Sequence, residues 1–237
     1  MTISDTISVE YRKMTLCDVY RRDFYGRERK LSIMTVFQKL LSKPVCLTFL
    51  LVGIVFGNGM MFLHGNNPAD PLGTISILCE DRKYLFWIWA FFVVGGYCLN
   101  TLYAYRKYEE RSRFLRCVCI LAVVAACGIG LSLKHDVTTW NPKRIVHWIS
   151  TGVYMATLAL SLFLFLLKNA RLYAGFSLMA AIVLLTAAGI VAWLLTLGKS
   201  GLMEMVPNTL LEILLLFLNF ILPVRRKAPS ETGQQTE

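Results

Sequence analysis

LYAGFSLMAAIVLLTAAGIVAWLLTL, residues 172–197, runs for twenty-six positions without a charged side chain. As a helix it rises about 39 Å, and a membrane span has only about 30 Å of hydrocarbon to cross. Working outward from it, five more apolar blocks lie at residues 45–64, 85–104, 117–133, 145–167 and 207–222. Together the six occupy most of the chain after residue 43. Charged residues make up 17 % of the chain, below the roughly 25 % of a soluble domain. A soluble enzyme and a disordered chain are excluded. So is a β-barrel, whose strands alternate apolar and polar residues. The expected fold class is all-α: a polytopic membrane protein with six transmembrane helices.

The net charge of +10 has three possible meanings: nucleic acid, acidic lipid or topology. Placement decides. The arm before the first block, the segment 105–116, the pair Lys168 and Arg171, and the tail after Leu222 hold nineteen Lys and Arg. The intervening segments hold six. By the positive-inside rule both termini are cytoplasmic, in an inner or plasma membrane, and no nucleic-acid partner is expected. Residues 1–43 are polar and contain no signal-peptide core, so the first span is expected to act as the insertion signal. The expected division is a basic arm at 1–43, a membrane domain at 44–223 and a flexible cytoplasmic tail at 224–237.

Within the arm, Ile33, Met34, Phe37, Leu40 and Leu41 recur at helical spacing beside Lys39 and Lys43. That pattern predicts a short cytoplasmic amphipathic helix on an anionic leaflet, with Pro44 opening the first span. Gly53 and Gly57 form a small-xxx-small face, suited to a neighbouring span or to an oligomer contact. Gly95-Gly96, the run 127–130 and Ala187-Ala188-Gly189 are read the same way. Trp87, Trp89, Trp140, Trp148 and Trp193 read as an aromatic belt. Of seven cysteines, only Cys79 falls in an outward segment, so no disulfide between outward loops is expected. Cys117 and Cys119 read as small packed thiols.

Polar chemistry collects toward the outer side. Asp70-Pro71 has the form of a helix start, a capping carboxylate before a first-turn proline, leading into a short helix over residues 72–78. Asn141-Pro142 repeats that form. His147, Thr151 and Tyr154 then share one face, as do Glu204, Asn208 and Glu212, with Asn219 continuing the row. A charged carboxylate facing lipid at the depth of Glu212 costs a few kcal/mol. Glu212 is therefore expected to face the bundle, with His147 or the Asp70–Ser76 loop as partner. The expected ligand-binding set is Asp70, Ser76, His135, Asp136, His147, Tyr154, Glu204, Asn208 and Glu212. If there is catalysis, His147, Glu212 and Asp70 are the candidates. His64, His135 and His147 are a weak candidate zinc set, without HExxH spacing, for a metal-dependent membrane hydrolase.

The stretch Ala69-Asp70-Pro71-Leu72-Gly73-Thr74-Ile75-Ser76-Ile77-Leu78, with His135-Asp136, His147 and Gly201-Leu202-Met203-Glu204, resembles the motifs of a bacterial multi-span family, domain of unknown function 998. The likeness covers about residues 45–222 and departs at Met205, where a basic residue is expected. More distantly the chain is similar to the Frag1/DRAM/Sfk1 membrane proteins, which are associated with lipid handling. The resemblance implies the six-span fold and an outward polar site, and supplies no activity. The expected function is binding or handling of a membrane lipid or other amphiphile in that pocket. The hydrolase and a non-catalytic accessory subunit are the alternatives.

Overall fold

The computed structural model describes residue 36 and residues 38–62, 67–70, 73–133, 141–173 and 175–223. The chain divides into two units, Met1–Ser42 and Lys43–Glu237. In the first, Val36 and Gln38–Leu40 are helical, and a turn closed by Ser42 N–H to Lys39 O (3.1 Å) ends the segment. Ile33, Met34 and Phe37 lie outside the described residues. What remains is too short to present an apolar face, so the cytoplasmic amphipathic helix is not supported.

In the second unit, α1 is Lys43–Met60, α2 Ile75–Leu78, α3 Lys83–Lys107, α4 Arg113–Leu131, α5 Pro142–Asn169, α6 Phe176–Thr196 and α7 Gly201–Ile221. All except α2 are long and apolar enough to cross a membrane, so the chain is a multi-pass membrane protein. No β-strand occurs among the described residues. Local chemistry sets several of the starts. Ser112 Oγ accepts the Leu115 N–H ahead of α4, and Asn141 Oδ1 accepts the Arg144 N–H ahead of α5 at 2.9 Å. Gly175, at φ +83°, turns the chain into α6, where a side chain would be strained.

Two starts differ from expectation. The short helix α2 begins at Ile75 behind Thr74 rather than behind Asp70, because the first helical N–H is taken by a carboxylate from α7. The last span begins at Gly201, not at 207, and Pro207 lies inside it. The N–H of Leu202 is satisfied by Pro68 O (2.9 Å), so the helix starts where the loop can cap it.

At the centre, α1, α3 and α7 pack closely. A Cβ at Gly96 would lie 2.9 Å from Phe49 O, one at Gly57 2.9 Å from Val93 Cγ2, and one at Gly53 2.9 Å from Glu212 Oε1. The small-residue face of α1 at Gly53 and Gly57 thus meets this chain's own helices. Asn100 Nδ2 donates to Cys46 O (2.8 Å), and Asn219 Nδ2 donates to Asn100 O (2.9 Å). The Asn219 end of the polar row therefore cross-links three spans. Gly128 gives way to Ser150, joining α4 to α5, whereas Gly95 and Gly189 face open space. Tyr97 OH donates to Leu158 O at 2.5 Å and Tyr105 OH to Ser161 O at 2.9 Å, tying α3 to α5. Helix α6 packs on α5 and α7 and leaves most of its surface outward. Cys119 is buried, but Cys117 lies on the opposite, exposed face of α4.

At the end where α3 meets α4, Lys107 Nζ donates to three terminal carbonyls of α7, those of Leu218 (2.8 Å), Asn219 (2.9 Å) and Leu222 (2.9 Å). A helix C-terminus presents unpaired carbonyls and a partial negative charge, so a cation there is stabilising. Lys107→Met is expected to lower stability by about 1–2 kcal/mol. Thermal unfolding in detergent checks it, and an unchanged midpoint would show that solvent satisfies those carbonyls equally well.

Candidate ligand-binding site

The site is assembled at the opposite end, where the loop between α1 and α3 folds over the start of α7. Two glycines make this possible. A Cβ at Gly201 would fall far inside van der Waals contact of Gly73 O, and one at Gly73 would do the same to Asn67 O. With the backbones that close, Glu204 in the first turn of α7 reaches the loop. Its Oε2 accepts the Ile75 N–H at 2.8 Å, while Lys199 Nζ stands 3.8 Å from Oε1. Lys199 also sits 5.8 Å above the Trp148 ring.

One turn further along, Asn208 Nδ2 donates to Glu204 O (2.6 Å) and Asn208 Oδ1 accepts from Tyr154 OH (3.3 Å). On α5, His147 Nδ1 lies 3.3 Å from Ser132 Oγ, whose own proton goes to Gly128 O (2.6 Å). That assignment makes Nδ1 the donor. Ser76, Thr151, His147, Tyr154, Glu204 and Asn208 supply the polar wall of a small cavity of about 30 Å³, with Phe86 and Trp89 among its apolar walls. Trp89 is 4 % exposed and packs against Tyr154 at 6.2 Å between ring centroids. It therefore belongs to the site and not to an aromatic belt.

Two further spaces adjoin this cavity. One, of about 10 Å³, lies between α1, α3 and α7 and is lined by Asn58, Thr209 and Glu212. The other, of about 230 Å³, is an apolar cleft between α5, α6 and α7, lined by Ala156, Ala159, Val183, Ala187 and Leu211. Asn208 borders all three, and Met155 borders both the polar cavity and the cleft.

Of the residues expected to form a pocket, Ser76, His147, Tyr154, Glu204 and Asn208 line one cavity. Glu212 does face the bundle, at 2 % exposure, but it lines the neighbouring space and makes no pair with His147. The reason is rotational: Glu212 is directed at α1 and α3, where Gly53 leaves room. Asp70 is exposed, its carbonyl closing a turn to Gly73 N–H (3.0 Å), and it does not line the cavity. His64, His135 and Asp136 lie outside the described residues. No cluster of three His, Cys, Asp or Glu side chains able to hold a metal occurs among the described residues.

Sequence reasoning did not single out Ser132, Asn58 and Thr209. The last two are bonded to each other across helices, Thr209 Oγ1 donating to Asn58 Oδ1 at 2.9 Å. The available signal was an amide and a hydroxyl, each at a helix position otherwise given to apolar residues. Cys79, beneath the loop, is fully buried. Burial, and secondarily the Glu204 charge, push its thiol up to about 12.

Fold and site together define an all-helical multi-pass membrane protein with a polar cavity at one end of its bundle. No family model, no curated protein and no solved structure matches the chain.

Proposed function

We propose that the protein binds a membrane amphiphile, with the polar head in the His147–Glu204–Asn208 cavity and the hydrocarbon chain in the α5–α6–α7 cleft. The observation that carries this reading is the shared wall: Met155 and Asn208 separate a polar space from an apolar one of about 230 Å³. A ligand that is polar at one end and apolar along its length matches both compartments. Donors and acceptors such as Tyr154 OH and the Asn208 amide suit a headgroup, and Lys199 at the rim suits a headgroup that carries a negative charge. The nineteen-to-six distribution of basic residues supports an outward-facing cavity with both termini cytoplasmic. On that topology the basic arm meets the anionic inner leaflet.

A fluorescent lysophospholipid titrated into the detergent-solubilised protein tests the reading. His147→Ala removes a headgroup contact and Ala187→Leu fills the cleft. Each is expected to weaken binding by about tenfold, equivalent to about 1.4 kcal/mol. Only Ala187→Leu should change the preference for chain length. Affinity unchanged by both substitutions would remove the proposal.

A further inference from the structure

We propose that the smaller space between α1, α3 and α7 is a binding site for one dehydrated monovalent cation, with sodium as the fitting size, held on the Glu212 carboxylate. This inference stands apart from the amphiphile reading and uses different residues. Glu212 is 2 % exposed, and its Oε1 has no hydrogen-bond partner. It lies in the notch left by Gly53, where Phe92 O also approaches: a Cβ at Gly53 would be 2.9 Å from the carboxylate oxygen and 3.0 Å from that carbonyl. The Phe92 carbonyl belongs to the π-helical turn Ala90–Val94, and such turns in α-helices recur at functional sites.

The surrounding groups define the chemistry. Among the described residues, the only ionisable side chain lining this space besides Glu212 is Glu204, which already has Lys199 and the Ile75 N–H. Neither α1 nor α3 contributes a charged residue to the lining. One carboxylate is left uncompensated, so one positive charge balances the site. Asn58 and Thr209 line the same space, and their bonded oxygens Oδ1 and Oγ1 are hard ligands of the kind small alkali and alkaline-earth ions take. The volume leaves room for about one water-sized particle. That favours a bare small ion over a hydrated or larger one. An uncompensated carboxylate at this depth costs a few kcal/mol, which supplies the drive to take up the ion.

The test is thermal unfolding of the purified full chain in detergent at pH 8, in sodium, potassium or choline chloride at equal ionic strength. A ligand that binds only the folded state raises the midpoint in a saturable way. Sodium is expected to raise it by several degrees over choline, and potassium by less. In Glu212→Gln, which keeps shape and loses charge, the sodium dependence should vanish. In Thr209→Val the sodium concentration giving half the effect should rise at least threefold, and this variant carries the comparison if the first does not fold. Equal midpoints of the wild-type chain in sodium and choline would overturn the proposal, because the carboxyl would then be holding a proton instead. A sodium effect that persists in Glu212→Gln, or is unaltered in Thr209→Val, would overturn it as well.

Discussion

Gly201→Val should lower the stability of the membrane domain by about 4 kcal/mol and open the loop at the site end. The side chain would be driven into Gly73 O and Met61 Cε, and Gly73 cannot retreat because it already rests on Asn67 O. Overpacking against a side chain costs about 1–3 kcal/mol, and a backbone wall yields less. Displacing the loop also breaks the charge-assisted bond from Ile75 N–H to Glu204 (2.8 Å) and the bond from Leu202 N–H to Pro68 O (2.9 Å). The former alone contributes about 1.5–3 kcal/mol. Two readouts follow. The thermal midpoint should fall, and Cys79, buried beneath the loop, should become reactive to a maleimide. A variant with the wild-type midpoint and a protected Cys79 would show that the loop is not seated on α7 in the way described.

The second large effect is expected at the other end of the bundle. The Glu110 side chain is 3 % exposed, and its Oε1 accepts from Lys168 Nζ (2.7 Å) and Ser112 N–H (2.7 Å). Its Oε2 accepts from Asn169 Nδ2 at 3.2 Å. Removing one partner of a fully buried pair costs about 3–5 kcal/mol, but Lys168 is 58 % exposed and regains water. Glu110→Ala should therefore cost about 2–3 kcal/mol.

The pH dependence follows from the same contacts. Burial pushes the Glu110 carboxyl up, and the bonds from Lys168, Ser112 and Asn169 outweigh it, leaving the group below the usual carboxylate range. A carboxyl depressed in the folded state adds stability that is complete above its unfolded pKa of about 4.3. That stability is lost as the pH falls through the folded value. The midpoint of the wild-type chain should therefore drop more steeply below about pH 4 than that of Glu110→Gln. Parallel profiles would assign the acid sensitivity to other carboxylates.

The six spans were legible because unbroken apolar length is a one-dimensional property, readable without knowing what packs where. Local helix starts were legible where the signal was complete, as at Asn141-Pro142 before α5. The same signal misled at Asp70-Pro71, and the last span, read from 207, begins at Gly201. In both places a partner distant in sequence satisfies the helix start: Glu204 for Ile75, and Pro68 for Leu202. The Glu204–Asn208–Glu212 face was visible from spacing, but not which neighbour each turn meets. Two turns of one helix look into different spaces here, and no periodicity reports that. Glu110 escaped notice because it lies in a segment dominated by lysine and arginine, where charge counting read only topology. Trp89 reads as an interface residue by type and is buried by the rotation of α3.

The contact between Gly53 on α1 and Glu212 on α7 also has a consequence in time. The two positions are about 160 residues apart, which at ribosomal speeds of about 5–20 residues per second is roughly 8–30 seconds of synthesis. Until α7 emerges, the notch on the first span has no carboxylate beside it, and all three spaces lack the wall that Asn208 provides. A nascent chain with five inserted helices therefore has no site at all. Docking of α7 closes the core and all three spaces in one event, so the quality of that insertion decides whether the spaces form.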